Sequence, residues 1–196
     1  MTADLVRRLA VPLIGAPMTD VSCPELVIAC CRAGIVGTVP ATNAASTAEL
    51  GDWIAEIDAA LTPEDAPYGV NFPLYADAGR RAGDLDVVLE STVTLVIASV
   101  GSPASLVGPV HGAGKLLYTD VATMRHVRHA IGAGADGLIL LTAGAGGFTG
   151  WLNPFVFVRA VREVFDGPVV LAGGVCDGVT LAAALQLGCD AAYLGT

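Results

Sequence analysis

Short, continuously apolar runs recur along the chain at residues 12–16, 35–39, 68–72, 94–100, 115–119, 137–141, 168–172 and 191–194. A strand with one wet face alternates apolar and polar residues, whereas an unbroken run reads as a strand buried on both faces of a parallel sheet. Stretches with helical period lie between the runs, at 23–33, 47–61, 121–133, 154–165 and 178–187. Ser46, with Glu49 three residues on, predicts an N-cap for the second of these. Gly188 predicts a C-cap for the last. Asp20 is placed either to cap the helix after the first strand or to reach a pocket. Strand–helix alternation gives βαβ units. Eight units favour an α/β fold of the (β/α)8 barrel type over an open, doubly wound sheet.

Composition agrees with that fold. Of 196 residues, 54% are hydrophobic and 15% charged, with 24 glycines, which suits one domain (1–196) whose strands are covered on both sides. The net charge of -9 excludes nucleic acid as a partner, because such affinity comes from Lys and Arg against phosphates. Two long uncharged stretches, 91–114 and 137–158, invite a membrane reading, but glycines and prolines interrupt both. A spanning helix must satisfy its own backbone, so no membrane association is expected. The N-terminal MTADLVRRLA has no apolar signal core. Five cysteines without framework spacing read as reduced thiols of a cytoplasmic protein, and no metal site is expected. Barrels of this kind usually run to ~250 residues. This chain stops at the tip of the eighth strand, so the expectation is a truncated form or a side covered by another chain. Oligomeric state stays open, homo-oligomer included.

The chemistry concentrates after residue 136. The runs ending VVLAGG and AAYLGT present bare backbone just past their last apolar residue. A phosphate site on a (β/α)8 barrel is built from the loops after strands seven and eight. Main-chain N–H groups there receive the anion without a side chain in the way.

AGAGGFTG at 143–150, AGG at 172–174, LGT at 194–196, GAPM at 15–18 and GVNF at 69–72 occur in this chain together. The set resembles the nitronate monooxygenase family, formerly 2-nitropropane dioxygenases, over nearly the whole chain. That resemblance implies an FMN-dependent barrel oxidising a small-molecule nitronate, or a similar carbanion-like substrate, with O2. It implies that Ala16, Pro17 and Met18 run along the flavin ring and that Asn71 hydrogen-bonds it. Ala172, Gly173, Gly174, Gly195 and Thr196 would grip the phosphate, while Gly146, Gly147 and Gly150 would let backbone approach the cofactor.

One position departs from the family. The residue after the double glycine is a histidine there and Phe148 here. Phenylalanine accepts no proton, so base chemistry at that point is lost and no catalytic residue is assigned. The expectation is a protein that uses pre-ionised or otherwise activated substrates, or that has changed reaction, with Phe148 and Thr149 contacting the substrate; Thr149 suits a turn equally. His126 and His129 read as a solvated helix face, and His111 as lying away from the catalytic face. The alternatives are an FMN-dependent enoyl reductase using NAD(P)H and a flavin-binding homologue of reduced activity.

Overall fold

The computed structural model describes residues 5–6 and 9–195. The strands are β1 (Leu13–Gly15), β2 (Gly37–Pro40), β3 (Tyr68–Pro73), β4 (Leu95–Ser99), β5 (Leu116–Val121), β6 (Gly137–Leu141), β7 (Val169–Ala172) and β8 (Ala191–Leu194). The helices are α1 (Pro24–Arg32), α2 (Thr47–Ala60), α3 (Ala78–Leu89), α4 (Ala104–Gly112), α5 (Met124–Ala133), α6 (Pro154–Arg162) and α7 (Gly178–Leu187), with a 3-10 turn at Ala41–Asn43. All strands pair in parallel in the order β1-β8-β7-β6-β5-β4-β3-β2. The ring closes where Ile14 bridges Val36, through Gly15 N–H to the Val36 carbonyl (2.8 Å) and Val36 N–H to the Leu13 carbonyl (3.1 Å). The chain is a (β/α)8 barrel.

Side chains alternate across each strand, so one parity fills the barrel and the other meets the helices. Ile14, Leu95, Ile97, Leu116, Tyr118, Ile139, Val170 and Ala191 pack inside the barrel. Outside, Val70, Val96, Ala98 and Leu117 pack against residues of α1 to α4, and Leu138, Leu140, Val169 and Leu171 against α5 to α7. Gly137 serves this packing: a Cβ there would lie 2.6 Å from the ring of Tyr118, which therefore fits inside the barrel only beside a glycine.

The end opposite the strand tips is tied by two acid-centred knots. Asp136 Oδ2 accepts the Leu117 N–H (2.8 Å) and lies 2.9 Å from His111 Nε2. Asp190 Oδ2 accepts the Val169 N–H (2.7 Å) and Arg162 Nη2 (2.5 Å), while Arg162 also donates to the carbonyls of Gly188 and Gly167. His111 is thus on the far side from the strand tips, as the sequence implied.

The expected caps form: Ser46 Oγ accepts the Glu49 N–H at 3.1 Å, and Gly188 ends α7 at φ 110. Three expectations need correction. Asp20 does not cap α1: that helix starts from Cys23 with no side-chain cap bond, and Asp20 (φ 60) gives its N–H to Asn43 Oδ1. The helix anticipated from residue 121 starts at Met124 behind the N-cap Thr123, because Asp120 and Val121 extend β5. Finally, α3 and α4 were not anticipated; α4 carries Pro109 internally and Gly108 beside it. Among the described residues no helix is long and apolar enough to cross a membrane.

Candidate functional site

Two positions beyond the apolar barrel filling, the inward parity reaches the strand tips. There the chain places Ala16, Asn71, Ser99, Asp120, Leu141, Ala172 and Tyr193, all of which line one cavity of about 770 Å³. Small-molecule sites occupy ~300–1,000 Å³. Loops after β1, β6, β7 and β8 wall the cavity with Pro17, Met18, Gly146, Gly147, Phe148, Gly173, Gly174 and Gly195. Most of the residues that the sequence nominated therefore converge, although they come from five separate parts of the chain.

Two nominated residues do not line this cavity. Gly150 is buried beneath it, where a Cβ would collide with the Leu141 carbonyl oxygen. Thr149 faces a neighbouring cavity, and its hydroxyl donates to the Thr142 carbonyl at 3.0 Å, which is the turn role. Thr196 lies outside the described residues.

Asn71 and Ser99 are brought together by the β3–β4 register, which pairs Asn71 with Ile97. Asn71 Nδ2 donates to Ser99 Oγ (3.0 Å) and to the Ile97 carbonyl (3.3 Å). The Asn71 side-chain donors are thus spent within the barrel, and its Oδ1 is the group left to meet a ligand N–H. At the other end of the cavity, Gly173 (φ 111) and Gly174 (φ 76) adopt backbone that L side chains resist. A Cβ on Gly173 would lie 2.7 Å from both Ala145 N and Thr142 Oγ1, so the β6 and β7 loops touch main chain to main chain. The N–H groups of Gly173, Gly174 and Gly195 have no acceptor among the described residues. Such free amides suit an oxyanion. Among the described residues no Lys or Arg lines this cavity, so there the main-chain amides are the groups offered to an anion.

A second cavity of about 490 Å³ adjoins the first, between the β4–α4 loop and the start of α5. His126 and His129, anticipated as a solvated face, are exposed and also line it, with Arg125 and Ser102. His129 Nε2 lies 2.8 Å from Ser102 Oγ. Val100, at the rim, holds φ 54, a strained value for a β-branched residue. Among the described residues, Asp120, Leu141 and Phe148 alone line both cavities. Phe148 is 58% exposed and meets the Tyr75 ring edge-on at 6.3 Å, so the two aromatics stand over the first cavity like a pair of posts.

Asp120 is the residue that the sequence reading missed. Its Oδ1 is inaccessible to solvent and has no hydrogen-bond partner among the described residues, and burial pushes the carboxyl up to about 7. The same burial raises the Tyr193 hydroxyl on the facing strand, with the Asp120 charge adding to it. The signal was present in the alternation: position 120 shares the parity of Tyr118 and must point inward.

A sequence profile of the nitronate monooxygenase family matches residues 73–196. A nitronate monooxygenase of Paraburkholderia phytofirmans is 30% identical over the whole chain, which spans 67% of that protein. The (3aS,4S,5R,7aS)-5-hydroxy-7a-methyl-1-oxo-octahydro-1H-indene-4-carboxyl-CoA dehydrogenase of Rhodococcus jostii is 29% identical over 94% of this chain and 51% of its own length. FabK from Thermotoga maritima superposes with a TM-score of 0.87 at 29% identity, over 99% of this chain and 60% of that one. Nitroalkane oxidase from Streptomyces ansochromogenes does so with 0.86 at 28%, over 97% and 66%. The chain thus spans about half to two thirds of the length of these relatives. The family is one of flavoproteins, and a flavin suits a cavity with a ring-edge acceptor at one end and free amides at the other. The chain belongs to the nitronate monooxygenase family.

Proposed function

We propose that this protein is an FMN-dependent oxidoreductase that oxidises a nitronate, or a similar carbanion-like small molecule, with O2 in the cytoplasm. The observation that carries the reading is the cavity itself, with Asn71 Oδ1 near one end and the unpaired amides of Gly173, Gly174 and Gly195 at the other. One acceptor and several donors in a single cavity suit FMN, whose ring offers an N–H and whose tail ends in a phosphate. Ala16, Pro17 and Met18 would lie along the ring, and Gly146 and Gly147 would leave it room. FMN, when bound, supplies the two-electron acceptor. Phe148 and Tyr75 put two aromatic rings beside the cavity, which favours an apolar substrate. A nitronate arrives already ionised, so its oxidation asks no proton transfer of Phe148.

The test is to purify the protein, release its ligand by denaturation, identify it by mass spectrometry and follow O2 uptake with a nitronate. FMN at one equivalent with nitronate-dependent O2 uptake is expected. A colourless protein that FMN cannot reconstitute overturns the reading. A second reading, a flavin enoyl reductase driven by NAD(P)H, is favoured by the likeness to FabK. Rapid loss of flavin colour with NADH or NADPH under nitrogen would select it. Yellow protein inert in both assays would select the flavin-binding homologue of reduced activity.

A further inference from the structure

We propose that Asp120 is the base that ionises a neutral substrate here, taking a proton from an acidic carbon held where the two cavities meet. The inference rests on the flavin oxidoreductase reading and goes beyond it, since a protein so equipped would make its own nitronate. Position comes first. Asp120 is the inward residue at the tip of β5, and of the three side chains shared by both cavities it alone titrates. Leu141 is aliphatic, and Phe148 cannot take a proton.

The surroundings of the carboxyl come second. Ser99 on β4 and Tyr193 on β8 share the first cavity with it, and Arg125, His126 and His129 on α5 line the second. None of them hydrogen-bonds Asp120. Ser99 Oγ accepts the Asn71 amide and makes no bond to Asp120, His129 pairs with Ser102, and His126 Nδ1 lies 3.4 Å from the Ala122 N–H. With no donor among the described residues, the carboxylate keeps its lone pairs for a substrate. With its carboxyl raised to about 7, it is both ionised and basic enough near neutral pH.

For a nitroalkane the step is a simple transfer. The α-carbon–hydrogen bond breaks, an O–H bond forms on the Asp120 carboxyl, and the electron pair passes to the nitro group, giving a nitronate. Nothing is oxidised or reduced, so the step is measurable apart from turnover.

The experiment follows exchange of the α-protons of nitroethane for deuterium by NMR, under nitrogen, in D2O buffer with FMN-loaded protein. The wild-type protein should accelerate exchange over buffer, with a rate that rises with pH through a midpoint near 7. Asp120→Asn should lower the enzymic rate about 100-fold or more, and Asp120→Glu should restore part of it. Infrared spectra supply a second readout: a protonated-carboxyl band present at pH 5, bleached by pH 9, and absent in Asp120→Asn. Flavin content is measured in the same samples. FMN-loaded wild type that fails to accelerate exchange overturns the Asp120 assignment alone, as does Asp120→Asn exchanging at the wild-type rate. Protein that binds no FMN overturns the parent reading.

Discussion

Removing the Asp120 charge should change how stability depends on pH, and both sign and size follow from the structure. Burial raises this carboxyl from 3.8 to about 7, so between those values the folded chain holds a proton that the unfolded chain has released. Folding is therefore favoured by Asp120 protonation below pH 3.8, loses that advantage progressively as pH rises, and carries the full penalty above about 7. At roughly 1.4 kcal/mol per pH unit the penalty is at most about 4 kcal/mol. The residue as a whole is only partly buried, although one carboxyl oxygen is inaccessible, so water screening reduces it to on the order of 2 kcal/mol. Asn is neutral throughout and nearly isosteric, so Asp120→Asn removes the penalty with little change of shape. Urea denaturation of both proteins at pH 5.0 and 8.5, at matched flavin content, isolates the effect, since every other group titrates alike in both. The variant should gain at least 1 kcal/mol on wild type between the two pH values. Parallel pH dependences would refute the buried, unpartnered carboxyl.

Gly173→Ala sets a Cβ against Ala145 N and Thr142 Oγ1 in backbone at φ 111; FMN affinity, read by flavin fluorescence quenching, should fall at least tenfold (~1.4 kcal/mol). Unchanged affinity would show that this loop does not hold the phosphate. Tyr118→Phe deletes a buried hydroxyl with no partner and should raise stability by about 1 kcal/mol in urea denaturation. Arg162→Ala strips a cation from Asp190 and donors from Gly188 and Gly167, lowering stability by about 2–4 kcal/mol in the same assay. Phe148→Ala loses the edge contact with Tyr75 and should raise KM for apolar substrates roughly threefold to tenfold, against ~0.5–1.5 kcal/mol for such a pair.

The strands were legible because burial on both faces leaves an unbroken apolar run, which no amphipathic helix imitates. All eight anticipated runs contain the observed strands to within a residue or two. Helices α3 and α4 were not, since AGRRAGDLDVVL and ASLVGPVHG mix glycine, proline and charge without a clean stripe, and packing on β3 to β5 overrides their weak propensity. In the site, glycines at strand ends were readable, and at Gly150 and Gly173 a Cβ is excluded by local geometry. Asp120 was lost for a specific reason: starting the helix at 121 took the strand tip away from β5, so the parity that aims the carboxyl inward was never applied. The Asn71–Ser99 contact needed the register of two strands, which no single stretch of chain encodes.

Three aspartates on the ring of strands make the case for Asp120 by contrast. Asp136 and Asp190 stand just before β6 and β8, and each reaches across to a neighbouring strand, accepting its N–H and meeting a His or Arg. Each also returns its own N–H to that strand, to the carbonyls of Leu117 and Val169 respectively. Two structural carboxylates in one barrel thus have donors supplied by the fold. Asp120, at the opposite end, has an inaccessible oxygen and no donor among the described residues, although Ser99, which accepts the Asn71 amide, lines the same cavity. An unpaired buried acid destabilises the fold at every pH where it ionises, and a Leu or Val at position 120 would avoid that loss. A site that holds such a group between two cavities, beside a phenylalanine that cannot move a proton, has the arrangement that proton abstraction requires and that structural stability alone does not.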